Sequence, residues 1–140
     1  MGFEGCFVKM LVKQMEIQQK YKNNIETFEL ISERALNFVT DFLPNIKPPL
    51  MKSYEYYLLI ELSDSSLDQI SSHLMSITNF GFIEDVVIAK NKAEQDSLWL
   101  IRDSISAAQK HHGLSLKHDI SVPIGDAISF INYAEREVLN

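Results

Sequence analysis

Three side chains suited to binding a small anion lie in the stretch 98–123. Arg102 and Ser106 are four residues apart, so on a helix they would lie one turn apart on the same face. Lys117 follows after a short connection that contains a glycine. An arginine fork can bind a carboxylate through two parallel hydrogen bonds, a serine hydroxyl can donate to the same oxyanion, and a lysine adds a point charge. Together they would suit the carboxylate end of a small hydroxy acid.

The same residues also have an ordinary structural interpretation, and the spacing alone favours it. Arg102 can pair with the neighbouring Asp103, Ser106 can be a plain helix residue, and Lys117 can form an exposed strand pair with Asp119. The sequence has no glycine-rich phosphate loop, nucleophile elbow, or H-E-x-x-H or C-x-x-C metal pattern. The residue types alone therefore leave the anion site as an alternative.

The histidines raise the question of a metal site. His73 is distant from the others in the sequence, and His118 is expected on the core side of its strand. His111 and His112 are adjacent on a predicted helix, so their side chains should point in different directions. We therefore predict that this chain alone does not bind a metal.

Composition narrows the class of protein. A net charge of −6 without a dense cluster of Lys and Arg argues against nucleic-acid binding. The sequence shows neither a long apolar run nor a signal sequence, so we predict no transmembrane segment and no export. The single cysteine, Cys6, cannot form an internal disulfide and fits a reducing compartment. We expect a cytoplasmic protein, or one of an organelle matrix, that forms one domain or part of one.

Hydrophobic patterning predicts alternating helices and strands. Apolar, β-branched or alternating runs predict four strands, at residues 25–31, 56–62, 82–89 and 116–122. Helical spacing predicts five helices, at about residues 7–21, 33–43, 64–77, 92–112 and 126–139. Ser32 and Asn91 introduce two of these helices, Pro44 ends one, and Gly113 supplies a left-handed C-terminal cap. The predicted fold is α+β: a ferredoxin-like antiparallel sheet of about four strands with helices packed on one face.

The stretch that contains Arg102 also resembles a known family. KHDISVP at residues 117–123, which follows a helix beginning LWLIR at residues 98–102, resembles the C-terminal domain of FAD-linked oxidases. This is the family of D-2-hydroxyglutarate dehydrogenase, D-lactate dehydrogenase and the glycolate oxidase flavin subunit. TFELIS at residues 27–32 and YYLLIEL at residues 56–62 look like two further strands of that domain, and the resemblance covers residues 24–139.

The resemblance implies a role for each candidate residue. In enzymes of the D-2-hydroxyglutarate type, the arginine of the LW-x-x-R helix, a hydroxyl residue four positions later and the lysine that opens the next strand hold the substrate carboxylates. The matching positions are Arg102, Ser106 and Lys117. His118 stands where tyrosine also occurs, which implies packing rather than catalysis. The implied reaction oxidises a 2-hydroxy acid by hydride transfer from C2 to FAD, with an electron acceptor other than oxygen or NAD.

The family resemblance also implies that other parts of the enzyme lie outside these 140 residues. They are a flavin-binding domain and an H-x-G-D-G-N-x-x-H-like segment that holds a divalent metal such as zinc. We therefore expect a substrate-side fragment that is inactive alone, needs a flavin-domain partner chain and self-associates through an exposed apolar face. The alternatives are a non-catalytic remnant or interaction domain, and an independent ferredoxin-like module that binds a small acid.

Overall fold

The protein combines helices with an antiparallel strand pair. The computed structural model describes residues 25–62, 72, 84–123 and 126–139, and these divide between two compact units, 25–115 and 116–139. In chain order the elements are β1 (Ile25–Ser32), α1 (Glu33–Phe42), β2 (Tyr56–Leu62), α2 (Lys92–His112) and α3 (Ala127–Leu139). The predicted helix at 7–21, and that at 64–77 apart from residue 72, lie outside the described residues. The mixed α and β class is confirmed.

The two strands pair in a regular antiparallel register from Thr27 onward. Glu29 lies opposite Leu59, and Ile31 lies opposite Tyr57. Side chains alternate between the two faces of a strand, so Glu29 and Ile31 share a face. Ile31 is buried, whereas Leu30 between them is exposed. The face that carries Glu29 is therefore the one turned toward the interior of the unit.

The core of the first unit lies between α1 and α2. Leu36 and Val39 of α1 are buried against Ile101 and Ala108 of α2, and Tyr57 of β2 packs on the same cluster. Each pair is separated by three or seven residues, the spacing that places side chains on one helix face. Burial of these apolar side chains fixes α2 beside α1, which in turn fixes the helix that carries Arg102.

Both helices of the first unit begin at the residues that the sequence indicates. The Ser32 hydroxyl accepts a hydrogen bond from the Ala35 N–H at 3.3 Å. The Asn91 side chain accepts one from the Glu94 N–H at 3.0 Å, and the Glu94 carboxylate accepts one from the Lys90 N–H at 2.8 Å. These contacts satisfy N–H groups that have no partner within a helix. The predicted starts of both helices are confirmed.

Gly113 ends α2 with a conformation that differs from the predicted one. Its N–H donates to the Gln109 carbonyl at 3.3 Å, which confirms that it is the C-terminal cap. Its φ of 145° is positive, as expected, but its ψ of −170° places it in the extended positive-φ region rather than the left-handed helical one. That extended region is open almost only to glycine.

Two predicted strands are wrong within the described residues. Residues 84–90 and 113–123 contain neither strand nor helix, so the described part of the sheet has two strands rather than four. Leu116, Ile120 and His118 are exposed, although the pattern predicted that they face a core. An alternating run becomes a strand only where a neighbouring strand supplies hydrogen bonds and a covering layer. The described residues of the second unit supply only α3.

Candidate functional site

Arg102 lies on α2 and is bound by two carboxylates. Its Nε donates to Glu29 Oε2 at 2.7 Å, and its Nη1 donates to Asp103 Oδ1 at 3.2 Å. The pairing with Asp103 suggested by the sequence is therefore present, and Glu29 of β1 adds a contact across the unit. The Arg102 side chain is nevertheless 43% exposed. It is held in place and remains accessible to a molecule in solution.

The electrostatics around Arg102 set what that molecule can be. The hydrogen bond and charge of Glu29 raise the pKa of Arg102 above its ordinary value, and Asp103 adds a smaller effect in the same direction. The two contacts use two of the five N–H donors of the guanidinium, so its fork has further donors. One positive and two negative charges leave a local net charge of −1. An anionic ligand therefore needs further positive charge nearby if it is to bind at Arg102.

Ser106 extends the same face of α2 by one turn. Four residues of α-helix separate it from Arg102, or about 6 Å along the helix axis, and its side chain is exposed. The structure therefore confirms the predicted helix and the one-turn spacing of these two residues. A carboxylate bound to Arg102 can therefore reach Ser106 only through the oxygen atom that lies farther from Arg102.

Lys117 belongs to the second unit and is exposed. It lies in the segment 113–123, where no strand is formed, so its predicted projection from a neighbouring strand is wrong. The convergence of all three residues on one carboxylate stays a prediction.

A second polar contact joins α2 to the strand pair. The Gln95 side chain donates to Glu61 Oε1 at 2.8 Å. Gln95 and Arg102 are seven residues apart and so share a face of α2, while Glu61 and Glu29 share a face of the sheet. Neither acid was predicted from the sequence to belong to the site. The available signal was that each is a charged residue within a predicted strand, on the strand face that meets a helix.

The histidines at the end of α2 pack on α1. The His112 ring centroid lies 4.4 Å from that of Phe38, and the His111 ring lies 5.2 Å from that of Phe42. His112 Nε2 also lies 3.6 Å from Asp41 Oδ2. The two adjacent histidines contact different residues of α1, Phe38 and Phe42, one helical turn apart. Their contacts are those of packing residues.

An open groove of about 510 Å³ lies beside these histidines. It runs between the start of α1 and the end of α2, and Arg34 forms part of its wall with the guanidinium 5.6 Å from the Phe38 ring centroid. Ser32 also lines it, but its hydroxyl already caps α1. Arg34 and Ser32 are therefore both engaged in contacts within the start of α1.

The described residues contain neither a group of metal ligands nor a helix that could span a membrane. Across 25–62, 72, 84–123 and 126–139, no three His, Cys, Asp or Glu side chains come together as metal ligands. Within the same ranges, no helix combines the length and apolar character needed to span a bilayer.

The first unit is an α+β domain that presents a fixed arginine and a serine on one exposed helix face. The sequence model of a family described as FAD linked oxidases, C-terminal domain, matches residues 12–138. Since that match covers most of the chain, the chain belongs to the family of FAD-linked oxidase C-terminal domains. The resemblance seen in the sequence is confirmed, with a match that begins earlier than residue 24.

Individual relatives agree with the family assignment. The chain is 26% identical over 128 residues to a mitochondrial D-2-hydroxyglutarate dehydrogenase of Arabidopsis thaliana, covering 89% of this chain and 22% of the relative. It is 28% identical over 120 residues to a D-2-hydroxyglutarate–pyruvate transhydrogenase of Saccharomyces cerevisiae, covering 83% and 24%. A mitochondrial D-2-hydroxyglutarate dehydrogenase of Rattus norvegicus is 25% identical over 129 residues, covering 88% and 24%. The chain thus spans about a quarter of the length of these curated relatives.

Proposed function

We propose that this chain is the substrate-side part of an FAD-dependent D-2-hydroxy-acid dehydrogenase of the D-2-hydroxyglutarate or D-lactate type. Arg102, Ser106 and Lys117 would hold the carboxylate end of the acid, and a bound FAD would supply the hydride acceptor for its oxidation. The observation that carries the proposal is Arg102, which is fixed by Glu29 yet 43% exposed on the helix face it shares with Ser106. A fixed and accessible guanidinium suits carboxylate recognition.

The local charge around Arg102 supports the inclusion of Lys117 in the proposed site. Arg102, Glu29 and Asp103 together carry −1, so Arg102 alone would attract an anion poorly. Addition of the Lys117 ammonium would bring the set to zero, and its removal should weaken binding as strongly as loss of Arg102. Binding of the 2-hydroxyglutarate dianion should depend on this net charge more than binding of the lactate monoanion, because the dianion carries the larger charge.

We assign the binding of FAD and of a divalent metal to residues outside the site described above. The chain corresponds to about a quarter of its relatives, and we propose that FAD and the divalent metal are held mainly by the remaining three quarters. These 140 residues alone would then be inactive and would require a flavin-bearing partner. Two of the three relatives described above carry the word mitochondrial in their names, and we place this protein in the cytoplasm or an organelle matrix.

The test is a titration of the purified chain with D-2-hydroxyglutarate and D-lactate, followed by calorimetry and by backbone amide NMR shifts. We expect saturable binding of at least one acid. Arg102→Ala and Lys117→Ala should each weaken it about tenfold or more, because a hydrogen bond to a charged group contributes roughly 1.5–3 kcal/mol. Ser106→Ala should cost less, since a neutral hydroxyl makes the weaker bond.

Matched controls separate a specific site from general charge attraction. Arg34→Ala and Lys110→Ala each remove one positive charge from the same unit without touching Arg102, and binding should stay within about twofold of the unmodified chain. Binding that falls equally in all four variants would show nonspecific attraction. Binding of neither acid would contradict a substrate site in this chain.

An Arg102 guanidinium that is fixed by two carboxylates yet exposed would also suit the alternative function, a module that binds a small acid without catalysis. The two functions differ when a flavin domain from a relative is added. A substrate-side part should bind that domain and allow a bound 2-hydroxy acid to bleach the flavin absorbance. A binding module would take the acid without any change in the flavin.

A further inference from the structure

We infer that Glu29 is the positioning residue of the carboxylate site: it orients the Arg102 guanidinium so that its outer N–H groups face the bound acid. The inference rests on the proposed function of Arg102 and adds a residue from a different element. Glu29 lies 73 positions from Arg102 in the sequence and reaches it from β1. No motif around Arg102 indicates this contact.

The contact with Glu29 is better suited to orientation than the contact with Asp103. Glu29 Oε2 lies 2.7 Å from Nε, whereas Asp103 Oδ1 lies 3.2 Å from Nη1. The Glu29 side chain is 29% exposed and projects from a strand held by its register with β2, while that of Asp103 is 63% exposed. A short charge-assisted bond from a fixed backbone restrains a long side chain most. Glu29 engages Nε and Asp103 engages one N–H of Nη1, so the guanidinium has further N–H donors for an acid.

The helix under Arg102 is restrained in the same way. Gln95 donates to Glu61 two turns before Arg102 donates to Glu29, and the two acids lie on one face of the strand pair. Two contacts along one helix face prevent rotation of α2 about its axis. Glu61 therefore helps to set the helix, whereas Glu29 restrains the guanidinium itself through a shorter contact than that of Asp103. Glu29 and Glu61 therefore form a matched pair of positions for an experiment.

Electrostatics and positioning predict opposite results for Glu29. As a negative charge beside the site, Glu29 repels a carboxylate, so its effect through charge alone is to weaken binding. As an orienting group it strengthens binding, because a guanidinium that is already ordered loses less freedom when the acid arrives. Glu29→Asp keeps the charge and loses the reach, while Glu29→Gln keeps the reach and loses the charge.

The experiment titrates the full chain and its variants with D-2-hydroxyglutarate and follows the Arg102 Nε–H signal by NMR. Glu29→Asp should weaken binding roughly three- to tenfold, the loss expected from ordering one long side chain. The Arg102 Nε–H should then exchange faster with water. Glu29→Gln should bind within about twofold of the unmodified chain. Glu61→Asp, the matched control, should leave both the affinity and the Arg102 signal unchanged.

The outcomes separate this inference from the proposed function. If the unmodified chain binds the acid and Arg102→Ala does not, but Glu29→Asp binds normally, positioning by Glu29 is overturned and the site stands. Equal weakening by Glu29→Asp and Glu61→Asp would also overturn it, since the effect would then come from the fold. If Arg102→Ala binds as well as the unmodified chain, the proposed site fails and the inference fails with it.

Discussion

At the residue scale, the proposed site recognises a carboxylate and not a hydroxyl group. Arg102 and Ser106 are hydrogen-bond donors on one helix face, and Lys117 adds charge, so none of them distinguishes the two configurations at C2. We therefore expect this chain to bind D- and L-2-hydroxyglutarate, and glutarate, with affinities within about threefold. Competition titrations followed by NMR measure this directly. A strong preference for the D acid would show that this chain also contacts the hydroxyl.

Tyr54 provides a pH-dependent contact within the first unit. Its hydroxyl donates to Asp85 Oδ2 at 3.4 Å. Partial burial, followed by the charges of Asp85 and Glu84, raises the pKa of Tyr54 above its ordinary value of 10.0. A raised folded pKa favours the neutral phenol. The stability it contributes is fully present below pH 10.0 and is lost as the pH rises through the higher folded value.

The prediction for Tyr54 concerns both its titration and the stability of the fold. We expect its NMR titration midpoint to lie above 10.0 and to fall in Asp85→Asn, with a smaller fall in Glu84→Gln. The free energy of unfolding should decrease above pH 10 more steeply in the unmodified chain than in Tyr54→Phe. An unchanged midpoint in Asp85→Asn would remove Asp85 as a cause of the shift.

At the element scale, local signals in the sequence predicted β1, β2 and the starts of α1 and α2 correctly. Ser32 and Asn91 cap helices with their own side chains, and YYLLIEL forms β2 at the residues predicted. The segment 116–122 shows the limit of such signals. Its alternation is as regular as that of any strand, but strand formation needs a partner, and the pattern does not reveal whether one is present. The contact between Glu29 and Arg102 was hidden for a related reason, since it depends on the register of β1 and the rotation of α2 together.

Gly113 supplies a prediction for the end of α2. Its φ of 145° is strained for any residue with a Cβ, and a Cβ placed there would meet nothing within 4 Å. The cost of Gly113→Ala is therefore one of backbone conformation alone, about 1–3 kcal/mol in the free energy of unfolding. Chemical denaturation of the two chains measures it. A second substitution, Gly113→Asn, should cost a similar amount, because this extended region excludes Asn as well as Ala.

At the scale of the whole molecule, the sequence identified the family better than it identified the sheet. The KHDISVP segment gave the family, yet it is the part whose predicted strand is absent from the described residues. Family motifs preserve residue types that serve a site, whereas a sheet depends on pairing between distant segments. Among the described residues, the segment 114–120 carries three exposed large apolar side chains close together in the sequence.

That segment leads to a prediction about assembly. Leu114, Leu116 and Ile120 are large apolar side chains exposed to solvent within one short stretch. Burial of each against a second copy would contribute roughly 1.5–3 kcal/mol, so we expect the chain to self-associate as its concentration rises. Leu116→Glu with Ile120→Glu should shift light scattering toward the monomer. Met51→Glu, which changes an equally exposed apolar residue in the other unit, should not. A monodisperse monomer of the unmodified chain across the concentration range would contradict the prediction.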